Sequence, residues 1–354
     1  MPHSRPTLAD VASAAGVSVS TASLAFSGSG PIAEDTRRRV LAAAEQLGYS
    51  GPNPLGRSLR SGRSGIAGVI IGDQLRRSFR DPVAIQVLDG LTGALGQLGL
   101  GVLLIPAMPD PDRPSAVDPL VESAVMDAAV LIWGFRTDDP VLAALRRRGV
   151  PVVVGEGPST TTAPVVAIDD RGGSAELGRH LLALGHERIA VVSLPFDAAR
   201  RCGPVDAARR AQVDWAPTRH RLEGLESAGI RPTVVMEAEA SLVECGREAG
   251  LRVLEAEDRP TAVVAQSDLL AAGVLLAARE LGLRVPEDVS VAGFDGLDLP
   301  WLAPDVLTTV AQPLQAKGEA MGRMVGRLLA GEEPDSVVLD VELRPGTTTG
   351  PPPA

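Results

Sequence analysis

The stretch TLADVASAAGVSVSTASLAF, residues 7–26, packs Ala, Ser and Val around a single Gly and contains no Lys or Arg. Four apolar residues of its first half fall at i, i+3, i+4 and i+7: Leu8, Val11, Ala12 and Ala15. This spacing predicts a short amphipathic helix. Thr7 is the expected N-cap, with Asp10 three residues on to complete it. Gly16 is the expected end, because Gly readily takes the positive φ that closes a helix.

The residues after Gly16 predict a second short helix, with Ser18 as its N-cap. Two short helices joined by a Gly-containing turn form a helix-turn-helix, in which the close crossing demands small side chains. The first turn of the second helix, Val19 to Thr21, would then project into a DNA major groove. A helix pair from some other α-rich core is the alternative interpretation.

A third helix is predicted in EDTRRRVLAAAEQLGY, residues 34–49, with Gly48 closing its end. Its expected apolar stripe consists of Val40, Leu41, Ala44 and Leu47. The three helices would make a head over residues 1–51. The segment 52–64 is rich in Gly, Pro and Ser, a composition typical of a linker.

The charge of the 354-residue chain is unevenly distributed. The whole sequence carries a formal charge of −10, yet residues 1–64 hold seven arginines against four acidic residues. A basic head therefore precedes an acidic body, a pattern that favours nucleic-acid binding by the head alone. Cys202 and Cys245 have no metal-type spacing, and neither a secretory signal nor a 20-residue apolar run occurs. We expect a cytoplasmic protein with no metal, no cofactor and no membrane partner.

From Ile66 onward, short β-rich runs alternate with helical stretches. Strands are predicted in IAGVII, GVLLI, AAVLIW, PVVVG, VVAID, RIAVVS, TVVME, TAVVAQ, VSVAGF, LTTVA and VVLDVEL, with helices near 82–98, 139–148, 172–184, 219–228, 242–256, 268–281 and 313–329. This alternation predicts parallel sheets with helices on both faces. Eleven strands are too many for one comfortable sheet, so we expect two lobes with a cleft between them.

These residues together resemble the lactose-repressor (LacI/GalR) family of bacterial transcription regulators over essentially the whole chain. The head and PNPLGRSLRSGRSG are similar to that family's DNA-binding domain and hinge helix. The body runs LLALGHERIAVVS, RLEGL, QSDLLAAGVLLAARELGLRVPEDVSVAGFDG and LTTVAQP resemble its signatures, in the same order. The resemblance implies an α/β chain with a three-helix helix-turn-helix head, a hinge helix, and a two-lobed periplasmic-binding-protein-like body with parallel sheets.

The implied body fold has the chain crossing between the lobes three times. The crossings are expected near Asp169, near Ala311 and again before the last strand. The expected boundaries are 65–345 for the body, with 65–168 and 312–335 in lobe 1 and 169–311 and 336–345 in lobe 2, and 346–354 for a flexible tail.

Carried over residue by residue, the resemblance implies DNA contacts in the head and hinge. Val19, Ser20 and Leu24 match base-reading positions. Thr21 and Ser23 match phosphate-contacting ones. The family often has Arg where this chain has Leu24, and Leu can only touch thymine methyls or pack within the head. The other implied DNA contacts are Thr7, Ser18, Asn53, Arg57, Leu59 and Arg60, with Leu59 as the wedge into the minor groove and the hinge arginines either along phosphates or solvated.

For the cleft, the resemblance matches Arg221 and Asp295 to positions that bond effector hydroxyls. A planar guanidinium and a carboxylate each offer bidentate bonding to adjacent hydroxyls of a sugar or related polyol. The other implied effector contacts are Phe79, Asp81, Asp169, Ser267, Asp268 and Trp301. Asp268 alternatively caps its helix, and Trp301 alternatively closes the lobe interface. His186 is expected to be a structural residue in a surface turn.

The implied function is that of a sequence-specific DNA-binding regulator, expected to be a repressor, whose operator affinity is set by a carbohydrate-like effector. One basic head makes few contacts, so we expect a homodimer on a pseudo-palindromic, double-stranded operator. A solute-binding protein of a sugar transport system is the alternative, since it shares the body fold. An enzyme is not expected, because no nucleophile–base pair or metal-ligand spacing stands out.

Overall fold

A computed structural model describes residues 6–27, 30–51, 62–108, 116–133, 135–136, 138–157 and 163–353. The chain divides into two compact units, Met1–Gly65 and Ile66–Ala354. The expected hinge contacts Asn53, Arg57, Leu59 and Arg60 lie outside the described residues.

Among its described residues, the first unit has three helices, α1 (Leu8–Ala14), α2 (Val19–Ser27) and α3 (Glu34–Leu47). Thr7 and Asp10 form the predicted capping box, in which the Asp10 carboxylate accepts from the Thr7 backbone N–H at 2.8 Å. Gly16 follows α1 with φ 63°, as expected. Oγ of Ser18 accepts from the backbone N–H of Thr21 at 3.1 Å, which confirms the second cap.

The core of this head consists of small side chains. Its buried cluster is Val11, Ala12, Ala22, Ala25, Val40, Ala43 and Ala44. The predicted stripe of α3 is partly wrong, because Leu41 and Leu47 are 41% and 39% exposed. Leu41 lies about 100° around the helix from Val40, whereas Ala43 and Ala44 flank Val40 on the packed side. No single described helix is long and apolar enough to cross a membrane, and α1 with α2 reaches that length only across a 104° bend.

The described part of the second unit contains two sheets. The first is built from β1 (Ile66–Ile71), β2 (Gly101–Pro106), β3 (Ala128–Ile132), β4 (Val152–Gly155), β5 (Val165–Ile168) and β12 (Val337–Leu339). The second is built from β6 (Ile189–Ser193), β7 (Gly203–Pro204), β8 (Val235–Glu237), β9 (Ala262–Ala265), β10 (Ser290–Asp295), β11 (Thr308–Ala311) and β13 (Glu342–Arg344). Their orders are β12-β5-β4-β3-β1-β2 and β13-β11-β10-β9-β6-β8-β7. All pairings are parallel except those of the edge strands β13 and β7, as the alternating pattern predicts.

Helices cover the sheets and complete two lobes. Lobe 1 adds α4 (Leu75–Ser78), α5 (Pro82–Gln97), α6 (Pro119–Ser123), α7 (Pro140–Arg147) and α13 (Leu314–Leu329) to the first sheet. Lobe 2 adds α8 (Asp170–Ala183), α9 (Ala207–Arg210), α10 (Ala216–Ser227), α11 (Val243–Leu254) and α12 (Asp268–Glu280) to the second. Helices α5 and α13 touch at Gly90 and Gly318, where a Cβ would lie 2.1 Å and 2.0 Å from a facing backbone oxygen.

The run VVLDVEL, predicted as one strand of lobe 2, is two strands in different sheets. Strand β12 pairs with β5 in lobe 1, and β13 pairs with β11 in lobe 2. The third crossing therefore falls at residues 340–341, inside the stretch 336–345 that was assigned wholly to lobe 2. A continuous β-rich run has no signal that marks a change of sheet.

Residues 346–353 are packed against lobe 2 and are not the expected flexible tail. The hydroxyl of Thr348 is fully buried, accepts from the Thr308 backbone N–H at 2.9 Å and donates to the Val291 carbonyl at 2.7 Å. The ring of His186 lies 2.8 Å from the Gly350 carbonyl and is 1% exposed, so this histidine is structural but buried. The Gly, Thr and Pro composition by itself predicts flexibility. The segment is ordered because residues distant in sequence satisfy its backbone and hydroxyl groups, which local composition does not reveal.

Candidate functional site

A cavity of about 130 Å³ lies between the two lobes. Ligands of parallel α/β sheets bind at the carboxyl ends of the strands, and several lining residues directly follow such ends. Lobe 1 supplies Asp81, Trp133, Phe135 and Glu156, lobe 2 supplies Trp215, Arg221, Ser241, Ser267 and Asp295, and the second crossing supplies Gln312. The cavity thus combines aromatic rings with carboxylates, hydroxyls and the guanidinium groups of Arg77, Arg200 and Arg221.

The lining of this cavity is strained. The described non-glycine residues with φ between 49° and 136° are Trp133, Glu156, Arg200 and Asp295. All four line the cavity. Each such conformation costs about 1–3 kcal/mol and persists only where surrounding contacts enforce it, which is typical of functional sites.

Arg221 is 4% exposed and is held by the protein itself. Its Nε donates to Oδ1 of Asp170 at 2.7 Å, and Nη1 donates to the Gln266 carbonyl. The guanidinium carbon lies 3.7 Å from the ring centre of Phe294, and Nη1 is 3.7 Å from Oδ1 of Asp295. The arginine is therefore fixed in place before any ligand arrives.

A second network crosses from lobe 2 to lobe 1 through Gln312. Its Nε2 donates to Oδ1 of Asp295 at 2.7 Å, and its Oε1 accepts from Nζ of Lys317 at 2.6 Å. Lys317 is the only lysine of the chain, is 1% exposed, and also donates to Glu156. Because Gln312 follows the second crossing, these bonds connect the cavity to a segment that joins the two lobes.

Two carboxylates of the cavity have raised pKa values. Oδ1 of Asp81 accepts from the backbone N–H of Val83 at 2.9 Å, and burial raises the pKa of Asp81 to about 6. Burial also raises the pKa of Asp295 well above its usual range despite the nearby Arg221, and the charges of Asp268 and Asp81 raise it further. Both groups face the cavity from different lobes.

Four of the expected effector contacts line the cavity: Asp81, Arg221, Ser267 and Asp295.

Asp268 is buried behind the lining, where it accepts from the Thr309 hydroxyl at 2.6 Å and the Leu297 backbone N–H at 2.7 Å. The N-cap of α12 is Ser267, whose Oγ accepts from the Leu270 N–H at 3.2 Å. The alternative that Asp268 caps this helix is therefore wrong.

The other three expected contacts lie away from the cavity lining. Asp169 is exposed and caps α8, with Oδ1 accepting from the Gly172 N–H at 2.9 Å. The neighbouring Asp170 is the carboxylate that reaches Arg221. Phe79 and Trp301 are each 51% exposed. The start of α8 turns Asp169 outward, and the sequence alone did not distinguish the two adjacent aspartates.

Several lining residues were missed by the sequence analysis. Trp133 and Trp215 are two of the three tryptophans and lie on opposite lobes. Trp133 directly follows β3, in the run AAVLIW, so its place at a strand end was a usable signal. Lys317 lies behind the lining, where it bonds Glu156. It was a second usable signal, because a lone lysine beside 33 arginines suggests a site that Arg does not fit.

Ion pairs also join the lobes around the mouth of the cavity. They are Asp73–Arg200 at 3.1 Å, Arg77–Glu239 at 2.6 Å, Arg80–Glu244 at 2.7 Å and Arg136–Asp214 at 3.6 Å. The Arg200 guanidinium additionally lies 4.8 Å from the ring centre of Trp215. The lobes are therefore closed on each other in this structure.

The head presents the first turn of α2 to its surface. Val19 is 50% exposed, and Ser20 is exposed beside it. The Ser18 hydroxyl lies 2.8 Å from the hydroxyls of both Ser20 and Thr21. Leu24, one turn further on, is only partly buried. Thr7, Ser18, Val19, Ser20, Thr21, Ser23 and Leu24 thus remain available as predicted DNA contacts.

Known proteins resemble the chain over both units. Residues 7–53 match the family of bacterial regulatory proteins called lacI, and residues 179–349 match a periplasmic binding protein-like domain. An HTH-type transcriptional regulator of Mycobacterium tuberculosis is 34% identical over 99% of each chain. The regulator IpsA of Corynebacterium glutamicum is 35% identical over 98% of each chain. The chain belongs to the lacI family.

Solved structures give the same result for the fold. The transcriptional regulator CelR in its complex with cellobiose has a TM-score of 0.68 and 27% identity, covering 97% of this chain and 100% of that one. The Lac repressor dimer bound to operator and an anti-inducer has a TM-score of 0.81 at 23% identity, covering 98% and 100%. The predicted fold class is confirmed. This lacI-family protein is a DNA-binding transcriptional regulator controlled by a small molecule, not a transport protein.

Proposed function

We propose that the protein is a homodimeric repressor that binds a pseudo-palindromic operator and is controlled by a carbohydrate in the cavity between its lobes. The observation that carries the effector site is the confinement of all described non-glycine positive-φ residues to the lining of one cavity. A glycine at each of these positions would remove the strain. The larger residues found there therefore indicate a requirement for binding geometry rather than for stability.

The chemistry of the cavity supports a carbohydrate. Sugars offer an apolar ring face together with many hydroxyls, and Trp133 and Trp215 supply flat apolar surfaces from the two lobes. Asp81 and Asp295 supply carboxylate acceptors for hydroxyl protons, while Arg221 supplies a donor. The cellobiose complex of CelR, at 27% identity, adds support from a relative of the same fold.

Binding to the operator is assigned to α2. Its exposed Val19 is suited to contact thymine methyl groups, and Ser20 and Thr21 carry hydroxyls for bases and phosphates. Each chain has one head, so two chains are required to read both halves of a palindrome. The protein would act in the bacterial cytoplasm, where the operator lies, and the mechanism requires binding without catalysis.

Control of the operator would start at Asp295. A hydroxyl bonded to this carboxylate competes with Nε2 of Gln312, which is also bonded through its Oε1 to Lys317 in lobe 1. The effector thereby alters the bonds that fix one lobe against the other. A ligand shifts such an equilibrium only by its difference in affinity for the two lobe arrangements.

The proposal is tested with the full chain and labelled DNA. Palindromic fragments are selected from a random library, and fluorescence anisotropy then measures affinity at one fixed salt concentration. We expect the species that binds the operator to be a dimer. We also expect its operator affinity to change at least tenfold when one of a panel of neutral sugars that includes cellobiose is added. A monomer with full affinity, or a sugar that binds without changing operator affinity, would contradict the proposal.

A further inference from the structure

The cations around the cavity are already paired with carboxylates. Arg200 lies 3.1 Å from Asp73, and Arg77 lies 2.6 Å from Glu239. Arg221 and Lys317 hold Asp170 and Glu156 in the same way. Among the described residues these are the only Lys or Arg side chains that line the cavity or bond a lining carboxylate from behind it. Every lining cation is therefore already paired with a carboxylate, so none of them is free to balance the charge of an anionic ligand.

Two lining carboxylates remain in surplus, one from each lobe. Asp81 has no described cation within 4 Å and is bonded to the backbone N–H of Val83. Asp295 is bonded to the neutral amide of Gln312, and its nearest cation, Arg221, is 3.7 Å away and bonded to Asp170. Asp268 adds a further carboxylate behind Asp295. Seven carboxyl groups therefore surround four cations, so the surroundings of the ligand are net negative at pH 7.5 even though burial raises the pKa of Asp295.

We propose that this cavity selects neutral polyols and excludes their anionic derivatives, the phosphate esters and the sugar acids, with Asp81 and Asp295 as the specificity-determining pair. The inference rests on the proposed carbohydrate effector and narrows its chemical class. Carboxylates accept hydrogen bonds from hydroxyls, whereas the phosphate of a phosphate ester and the carboxylate of a sugar acid are negatively charged at neutral pH and are repelled by Asp81 and Asp295.

Two arginine nitrogen atoms at the mouth of the cavity are also suited to an anionic ligand. Nη1 of Arg77 and Nε of Arg200 are buried without a hydrogen-bond partner, and both residues line the cavity. These two N–H groups suit ligand oxygen atoms. Their charges are balanced by Asp73 and Glu239, so a neutral hydroxyl or ring oxygen satisfies them as well as an anion does.

Matched ligand pairs test the proposal on the full-length protein at pH 7.5. Thermal shift and calorimetry compare glucose with glucose 6-phosphate and glucuronate, galactose with galacturonate, and cellobiose with cellobionate. We expect at least one neutral sugar to bind, with its anionic partner at least 100-fold weaker. Asp81→Asn and Asp295→Asn should each reduce this ratio about tenfold, whereas Asp89→Asn, at an exposed position of the helix that Asp81 caps, should leave it unchanged.

The possible results distinguish the charge selectivity of the cavity from the carbohydrate nature of its effector. An anionic partner that binds as tightly as its neutral counterpart overturns the selectivity but leaves a carbohydrate effector in place. Unchanged ratios in both variants assign the selectivity to other residues and likewise overturn the role of this pair. If no sugar of either kind binds, the carbohydrate effector itself is wrong. The ratio for the unaltered protein suffices even where a variant fails to fold.

Discussion

The head and the cavity differ in which types of residue hold positive φ angles. In the head, every such described residue is a glycine, as at Gly16 and Gly48. In the cavity, Trp133, Glu156 and Asp295 hold such angles at or just after strand ends. Glycine takes them without strain, whereas each larger residue costs about 1–3 kcal/mol. The head is thus a relaxed local framework, and the cavity is held in a strained shape by the rest of its fold.

The hydrogen bonds of the two regions show the same contrast. The caps of the head join residues three apart, as between Thr7 and Asp10. The bonds of the cavity join Arg221 to Asp170 and Lys317 to Glu156, pairs separated by 51 and 161 residues. Damage to the cavity should therefore spread through the body, and damage to the head should stay within the head.

The largest expected effect is that of Arg221→Ala. The substitution leaves Asp170 as a buried carboxylate without its partner, so we expect the body to lose about 3–5 kcal/mol of unfolding free energy. All three tryptophans lie in the body, which lets urea unfolding followed by their fluorescence report on it alone. Arg171→Ala is the matched control, because Arg171 pairs with Glu223 at the surface and should cost below about 1 kcal/mol. Equal losses in the two variants would refute the structural role of Arg221.

A smaller effect is expected from Ala22→Leu in the head. Ala22 is fully buried between short helices, and three additional carbon atoms there should cost about 1–3 kcal/mol. Operator affinity, measured by anisotropy, should fall markedly while tryptophan-monitored unfolding and sugar binding stay unchanged. Ala42→Leu, on the exposed side of α3, is the control and should bind as the unaltered protein does. A loss of sugar binding in Ala22→Leu would show that the two regions are not independent.

The smallest effect is a difference in pH dependence. Burial raises the pKa of Asp81 to about 6, above the ordinary value of 3.8. Between these values the folded body binds a proton that the unfolded chain has released, so lowering the pH from 7 to 5 should stabilise the body by about 1 kcal/mol through Asp81. In the head, hydrogen bonds from Thr7 lower the pKa of Asp10, so acid should weaken that cap as the pH falls.

Urea unfolding at pH 7 and pH 5 checks this difference for the body, and amide exchange at the start of α1 between pH 5 and pH 3 checks it for the head. Asp81→Asn should remove part of the stabilisation of the body in acid. A body whose stability falls steadily from pH 7 to pH 5 would contradict the raised pKa of Asp81, a partly buried carboxylate with no described ion-pair partner.

Much of the fold could be predicted from local signals. The caps at Thr7 and Ser18, the break at Gly16 and the alternation of strands with helices all depend on neighbouring residues. The split of VVLDVEL between two sheets could not be predicted, because nothing local distinguishes its halves. The docking of Thr348 was equally hidden, since its partners lie about 40 and 57 residues away.

The cavity was predictable only where a motif marked it. Arg221 and Asp295 came from family signatures, and both line the cavity. Trp301 is expected at the cleft but is half-exposed, whereas Trp133 and Trp215 line the cavity. The direction of a side chain depends on tertiary packing, which composition does not give. Asp169 and Asp170 are adjacent in sequence, and only the start of α8 decides which of them turns toward Arg221.

We infer that the strained cavity binds a neutral sugar and that this binding sets operator affinity through Asp295. The most direct test titrates the complex of full-length protein and labelled operator with the tightest-binding neutral sugar, in the unaltered protein, Asp295→Asn and the exposed control Asp298→Asn. We predict a change of at least tenfold in operator affinity for the unaltered protein and the control, and less than threefold for Asp295→Asn at the same sugar concentration. Equal responses from all three proteins would contradict it.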